Sequence, residues 1–228
     1  MGKFSYDYPR PALTVDIVVF TLRENRLNVL LVERREEPFA GMWALPGGFV
    51  QMEESLEEAA HRELAEETGV SKAYLEQLYT YGSPCRDPRG RVITVAYFAL
   101  IQPDTIIRRE GGDDATQARW FPLDELPPLA FDHTDIVTYA LCRLRYKLEY
   151  TAVGFELLPD RFTLTEIQSI YEIILGERLD KRNFRRRILE ANVIEPTAEL
   201  HVGEGRPARL YRYRADAVAE VKARRLFP

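Results

Sequence analysis

Residues 47–70, GGFVQMEESLEEAAHRELAEETGV, hold seven glutamates in 24 positions, and no other stretch restricts the fold as strongly. Ser55 precedes a run of helix formers, Glu57 and Glu58 fall in the first turn, where negative charge suits the dipole, and Gly69 ends the run. The segment therefore predicts a helix. At about 100° per residue, Glu63, Glu66 and Glu67 fall within an arc of about 100° and share one face. Two carboxylates about 5.5 Å apart at an effective dielectric of about 20 repel by roughly 3 kcal/mol. A divalent cation removes that cost, and Mg2+ prefers carboxylate and water oxygens, usually in the company of a phosphate chain. Glu57 and Glu58 point off the arc and read as a solvated face.

Around this helix the chain alternates strands and turns. ALTVDIVVFTL and RLNVLLVERR are apolar, β-branched runs split by the polar RENR, which predicts a hairpin over residues 13–22 and 28–34. EEPFAGMWALPGGFV reads as a loop punctuated by glycine and proline. Strands are expected at 74–81, 91–100 and in ARWFPL, and a second long helix over 132–148. The front part is α+β. After residue 150 the pattern changes: Thr163 and Glu166 fit a capping box, and Ile167, Ile170, Tyr171 and Ile174 form an apolar helical stripe ended by Gly176. Asp180 suits the N-cap of a short helix, KRNFRRRILEA, and NVIEPTAELHV, GEGR and PARLYRYR read as a hairpin. Helix, turn, helix, hairpin is the order of a winged helix-turn-helix. Two domains are expected, 1–150 and 151–228.

Charge divides the same way. Residues 151–228 carry 14 Lys and Arg against 12 Asp and Glu, a net +2, which leaves 17 against 24, a net −7, for residues 1–150. With 46% hydrophobic and 29% charged residues, the chain excludes a largely disordered or collagen-like protein. No apolar run reaches the roughly 18–20 residues of a membrane span, and the N-terminus lacks the apolar core of a secretory signal, so a cytoplasmic protein is expected. Cys85 and Cys142 have neither disulfide-framework count nor zinc-site spacing. His61, His133 and His201 read as structural or exposed.

Gly48, Glu54 and then Arg62-Glu63-Leu64-Ala65-Glu66-Glu67-Thr68-Gly69-Val70 follow one another at the spacing of the Nudix box, which this segment resembles at every defined position. The resemblance implies a Nudix α/β/α sandwich around a mixed sheet. It also implies that Glu66 and Glu67 ligate Mg2+ or Mn2+, with Glu63 as a further ligand or the group that orients water, and the Gly48 carbonyl as a backbone ligand. Glu63, Glu67 and Arg62 are the implied catalytic set, with Arg62 paired to Glu54 to fix loop against helix. The implied chemistry is attack of water on a phosphorus of a nucleoside diphosphate linked to another group. The general base stays open: Glu110, Asp113 and Asp114 are candidates, and an acidic surface loop accounts for them equally well.

PRPALTVDIVVF, GSPCRDPRGR and GGDDATQARWFPLDELP are similar to the branch holding ADP-ribose pyrophosphatases and ADP-ribose-sensing regulators. Cleavage there yields AMP and ribose 5-phosphate. Arg86 and Arg89 are candidates to bind phosphate, with Asp87 capping the loop and Gly90 supplying the turn; an ordinary hairpin loop fits Asp87, Pro88 and Gly90 as well. Phe4, Tyr6 and Tyr8 are candidates to stack on adenine across a dimer, or to pack on their own domain.

In KRNFRRRILEA, Phe184, Ile188 and Ala191 can bury one face, leaving Lys181, Arg182, Arg185 and Arg186 outward as a recognition surface, with Arg206 and Arg209 flanking the wing turn. The competing reading is a solvated arginine face on a tail that only mediates dimerisation. LLPDRFTLTEIQSIYEIILGERLDKRNFRRRILE and GRPARLYRY behind a Nudix domain resemble the NrtR-like regulators of NAD metabolism and cousins that control sugar use. That resemblance implies a homodimer on double-stranded operator DNA, answering to ADP-ribose or a related nucleotide or sugar signal. Many such regulators carry a degraded box; here it is intact, which implies a regulator that keeps hydrolysis. The alternative is a dedicated ADP-ribose pyrophosphatase.

Overall fold

The computed structural model describes residues 7–105, 107, 117–202, 207–214, 216 and 217. Phe4, Tyr6, Glu110, Asp113, Asp114, Arg206 and the wing turn GEGR lie outside the described residues.

The front of the chain builds a seven-stranded sheet: β1 Ala12–Arg23, β2 Arg26–Glu33, β3 Trp43–Ala44, β4 Gly47–Phe49, β5 Tyr74–Tyr81, β6 Val92–Leu100 and β7 Ala118–Pro122. Its order is β3-β2-β1-β6-β5, with β4 also on β1 and β7 on β2. The β1–β2 turn is Glu24-Asn25, both with positive φ (52° and 56°), a turn whose twist matches the flanking strands. Val15, Ile17 to Phe20, Val29 to Val32 and Val95 to Leu100 are buried in succession, so both faces of the central strands are covered. Helix α1, Leu56–Thr68, buries Ala59, Ala60, Leu64 and Thr68, and helix α2, His133–Tyr150, buries Ile136, Val137, Ala140, Leu144 and Leu148. β3 and β4 lie inside the stretch expected to be loop. They are two and three residues long, and what makes them strands is their partners: Thr14, Val15 and Asp16 face Phe49, Gly48 and Gly47, while Glu33 faces Trp43.

The chain divides into two compact units. One comprises residues 1–20, 29–99 and 105–140; the other comprises 21–28, 100–104 and 141–228. The division does not fall at a single point in the chain, since the tip of the β1–β2 hairpin and the second half of α2 group with the C-terminal residues.

In the second unit a short 3-10 segment, Val153–Leu157, leads to α3, Leu164–Leu175, and α4, Lys181–Glu190, then to β8, Ile194–His201, and β9, Ala208–Tyr213. Thr163 caps α3 reciprocally with Glu166, and Gly176 ends it in the left-handed conformation at φ 77°. The turn to α4 is held by Glu172, which accepts from Leu179 N (2.9 Å) and Gln168 Nε2 (2.9 Å), and by Gln168 Nε2 to the Leu179 carbonyl (3.2 Å). Asp180 accepts from Asn183 N and starts α4. Tyr171, Phe162, Phe184 and Ile188 form its core, with the Tyr171 and Phe184 rings 5.5 Å apart. β8 and β9 pair antiparallel from Ile194–Tyr213 to His201–Ala208. The order of elements is that of a winged helix.

Candidate active site and nucleic-acid interface

Helix α1 starts where Ser55 and Glu58 cap one another and stops where Gly69 turns left-handed at φ 78°. That fixes the phase of its acidic face against β4. The face does not stand as bare, repelling carboxylates: Arg62 grips Glu54 through Nε (2.9 Å) and Nη2 (2.6 Å), and reaches Glu63 (2.7 Å) and Glu66 (3.1 Å) through Nη1. Arg62 also donates to the Phe49 carbonyl at 3.2 Å, tying helix to loop. This clamp on Glu54, led by its hydrogen bonds, holds the Glu54 carboxyl down at about 2. Arg62 therefore does the structural task expected of it, and also supplies the positive charge that offsets the glutamate face.

Glu67 is treated differently. It is half-buried, accepts from the Gly47 N–H at 2.9 Å, and desolvation of its carboxyl, reinforced by the charges of Glu63 and Asp16, pushes it up to about 8. Burial likewise raises Glu63, against the opposing pull of Arg62. Gly47 is required by close approach, since a Cβ there would lie 2.1 Å from the Val15 carbonyl oxygen; one on Gly48 would lie 2.3 Å from Glu63 Oε1 and would displace that carboxylate.

Among the described residues, no three His, Cys, Asp or Glu side chains are gathered closely enough to hold a metal ion as they stand. The donor set nevertheless suits a hard divalent cation: Glu63 and Glu67 flank the β4 glycines, and the Glu67 carboxylate, desolvated without a carboxylate-neutralising partner, gains most from one. Glu66 is 61% exposed and free to rotate off Arg62.

Beside β4 opens a cavity of about 330 Å3, whose wall includes Asp16, Arg34, Gly47, Glu67, Arg86 and His133. Arg86 and Arg89 both line it, as expected, but each already holds a carboxylate. Arg86, only 4% exposed, donates to both Asp132 oxygens (2.9 and 2.6 Å) and lies 3.5 Å from Asp16. Arg89 pairs with Asp87 (2.7 Å), which accepts the Arg89 backbone N–H in turn, so Asp87 does cap this loop. His133, read from sequence as structural or exposed, is buried in the wall: Nδ1 accepts from Leu45 N at 2.9 Å and Nε2 lies 3.5 Å from Asp16. Burial keeps its pKa below the ordinary value and the ring neutral.

Sequence reasoning missed Asp16, Asp132, His133, Phe131 and Arg34. Asp16 had a signal, a lone charge inside the apolar run LTVDIVVF. The others had none, since Arg86 meets its partners across 46 and 70 residues of chain.

In α4, Phe184 and Ile188 are buried while Ala191 is half-buried at the C-cap. Lys181, Arg182 and Arg186 are exposed, as expected. Arg185 departs from that pattern: it is half-buried, donates to Thr165 Oγ1 at 3.1 Å, and its Nε is buried. Arg209 is exposed on β9. No helix of the described residues is long and apolar enough to cross a membrane.

Residues 10–142 match the NUDIX domain, and residues 154–213 match the NrtR DNA-binding winged helix domain. The ADPR responsive transcriptional repressor NtrR of Acinetobacter baylyi is 45% identical over 91% of this chain and 84% of its own length. An ADP-ribose pyrophosphatase of Methanocaldococcus jannaschii is 42% identical over 57% of this chain and 73% of its own. The crystal structure of Shewanella oneidensis NrtR complexed with a 27mer DNA superposes with a TM-score of 0.81 at 38% identity, covering 94% of this chain and 99% of that one. The chain therefore belongs to the Nudix family, in the group whose Nudix domain is followed by an NrtR DNA-binding winged helix domain.

Proposed function

We propose that this protein is an ADP-ribose-responsive transcriptional repressor of the cytoplasm that binds operator DNA as a homodimer and retains metal-dependent hydrolysis of ADP-ribose to AMP and ribose 5-phosphate. The observation that carries the reading is the pairing, in one chain, of an intact Nudix box with an NrtR winged helix, in a match that spans 84% of a repressor named for its response to ADPR. We assign sensing to the part before about residue 150 and DNA contact to the part after it.

Glu63, Glu66, Glu67 and the Gly48 carbonyl would hold Mg2+ or Mn2+, which when bound neutralises phosphate charge and lowers the pKa of coordinated water. Arg62 orients Glu63 and fixes α1 against the β4 loop, which keeps the glutamate face in phase with the cavity. Arg86 braces the wall by tying Asp132 to Asp16 and leaves Arg89 to face the ligand from above Phe49, 5.3 Å from the ring centroid. On the winged helix, Lys181, Arg182, Arg186 and Arg209 would contact DNA phosphates, with Arg185 holding α4 to α3 through Thr165 and Arg206 at the wing turn.

The intact box and the likeness to a pyrophosphatase favour a second reading, a dedicated hydrolase whose C-terminal part only mediates dimerisation. AMP release from ADP-ribose with Mg2+, measured beside retention of duplex DNA, separates the two. The repressor reading expects specific duplex binding; turnover with no specific duplex binding contradicts it.

A further inference from the structure

Helix α4 buries Phe184 and Ile188, and at about 100° per residue Arg182, Arg186 and Leu189 fall within an arc of about 60° on its outward side. Arg182 and Arg186 are exposed cations, as DNA contact requires. Leu189 is neither charged nor buried. It is 46% exposed, and among the described residues of α4 it is the one apolar side chain that the core leaves out. The end of the helix holds it in place: its carbonyl accepts from Asn192 N at 3.2 Å, and Asn192 turns with positive φ (56°). The chain beyond is tied to the residue that follows β9, with Arg214 N donating to the Val193 carbonyl at 3.0 Å and Arg214 Nη1 to the Asn192 carbonyl at 3.3 Å.

Contacts to phosphate position a protein on duplex DNA and carry no sequence information, so the exposed cations of α4 cannot by phosphate contact select an operator. The stripe from Arg182 to Leu189 is about 10 Å long, the length of about three base-pair steps. A helix seated in the major groove by Arg182 and Arg186 brings Leu189 against base edges, where the apolar group on offer is the C5-methyl of thymine. Glu190, the exposed neighbour of Leu189, carries a negative charge that disfavours phosphate at this end of the face.

We propose that Leu189 reads the C5-methyl of a thymine in the major groove and so sets a preference for a T·A pair at one position of each half-site. The assignment rests on the operator-DNA reading of the winged helix, which places cations on phosphates and no residue on a base.

The test starts from a duplex that the native protein selects from a random pool. Each thymine is replaced singly by deoxyuridine, which removes the methyl and keeps the base pair. Affinities are measured for the native protein, Leu189→Ala and Arg182→Ala, with the thermal midpoint and sedimentation equilibrium of each. In the native protein one thymine per half-site should be sensitive, with a loss of about threefold to fivefold, the scale of one buried methyl group. Leu189→Ala should bind the thymine duplex more weakly by at least that factor, lose the sensitivity at that position, and keep the native slope against salt. Arg182→Ala should keep the deoxyuridine profile and show a shallower slope. Leu189→Ala with the native profile, or a native protein indifferent to every thymine methyl, would overturn the assignment while specific duplex binding stands. If subunit association weakens in Leu189→Ala and its profile stays native, the face belongs to a second copy of the chain, and the assignment is likewise overturned. If Leu189→Ala is unfolded, Leu189→Gln is read in the same way. A native protein that selects no duplex overturns the operator-DNA reading as well.

Discussion

Helices α1 and α4 each carry a dense run of like charge, and the chain handles the two runs in opposite ways. On α1 the motif's carboxylates are tied down: Glu63 and Glu66, with Glu54 just before the helix, meet one arginine, and Glu67 meets a backbone N–H in a half-buried position. On α4 the cations are turned out: Lys181, Arg182 and Arg186 are exposed, and the ion pair of Arg186 with Glu190, at 3.5 Å, is loose and solvated. Desolvated charge on fixed side chains suits a small, hard partner at a defined point. Solvated charge on long side chains suits an extended polyanion whose counterions are released on contact. The two runs thus differ in burial as well as in sign, as the roles proposed for them require.

The comparison breaks most sharply at Glu67. Glu67→Gln should reduce AMP release from ADP-ribose by about a hundredfold or more, the usual scale for removing a preorganised charge at a reacting phosphate, with duplex DNA affinity unchanged. A parallel loss of DNA affinity would mean that the two faces are not independent.

The desolvated carboxyl of Glu67 also gives the metal-free protein a pH signature. The Glu67 pKa stands at about 8 against an ordinary 4.5, so the fold holds a proton that the unfolded chain releases. The stabilisation is complete below the unfolded value and is lost as pH rises through the folded one. Denaturation in EDTA should therefore show stability falling between about pH 5 and pH 8 through this group, by on the order of 3 kcal/mol, and Glu67→Gln should flatten the fall.

On α4 the expected effect is smaller and depends on salt. Arg182→Ala with Arg186→Ala should weaken duplex binding about tenfold to a hundredfold, reduce the slope against salt by about 2, and leave AMP release untouched. Unchanged DNA affinity would remove α4 as the recognition helix. The smallest effect concerns the frame alone: Thr163→Ala removes the α3 cap and should cost about 1 kcal/mol of stability in chemical denaturation.

Much of this architecture is legible in the chain because its signals are local. The caps at Ser55, Thr163 and Asp180, the stops at Gly69 and Gly176 and the apolar runs of β1, β2 and β6 are written in consecutive residues, and the structure bears them out. β3 and β4 were illegible because a two-residue strand exists only through its partner. The cavity wall was illegible for the same reason on a larger scale: no spacing rule links Asp16, Arg86 and Asp132, and a buried histidine near a helix start looks like any other. The glutamate face was half legible. Its like charges did demand a counter-charge, and Arg62 supplies one from within the motif itself.

The central claim is that ligand and DNA are coupled through one chain. The direct measurement is the affinity for a duplex selected from a random pool, titrated with ADP-ribose, using Glu67→Gln so that the ligand is not consumed. The account predicts that duplex affinity changes at least severalfold, with a midpoint at the ADP-ribose dissociation constant, and that the duplex changes ADP-ribose affinity by the same factor. A duplex affinity that stays constant while ADP-ribose saturates the protein would contradict it.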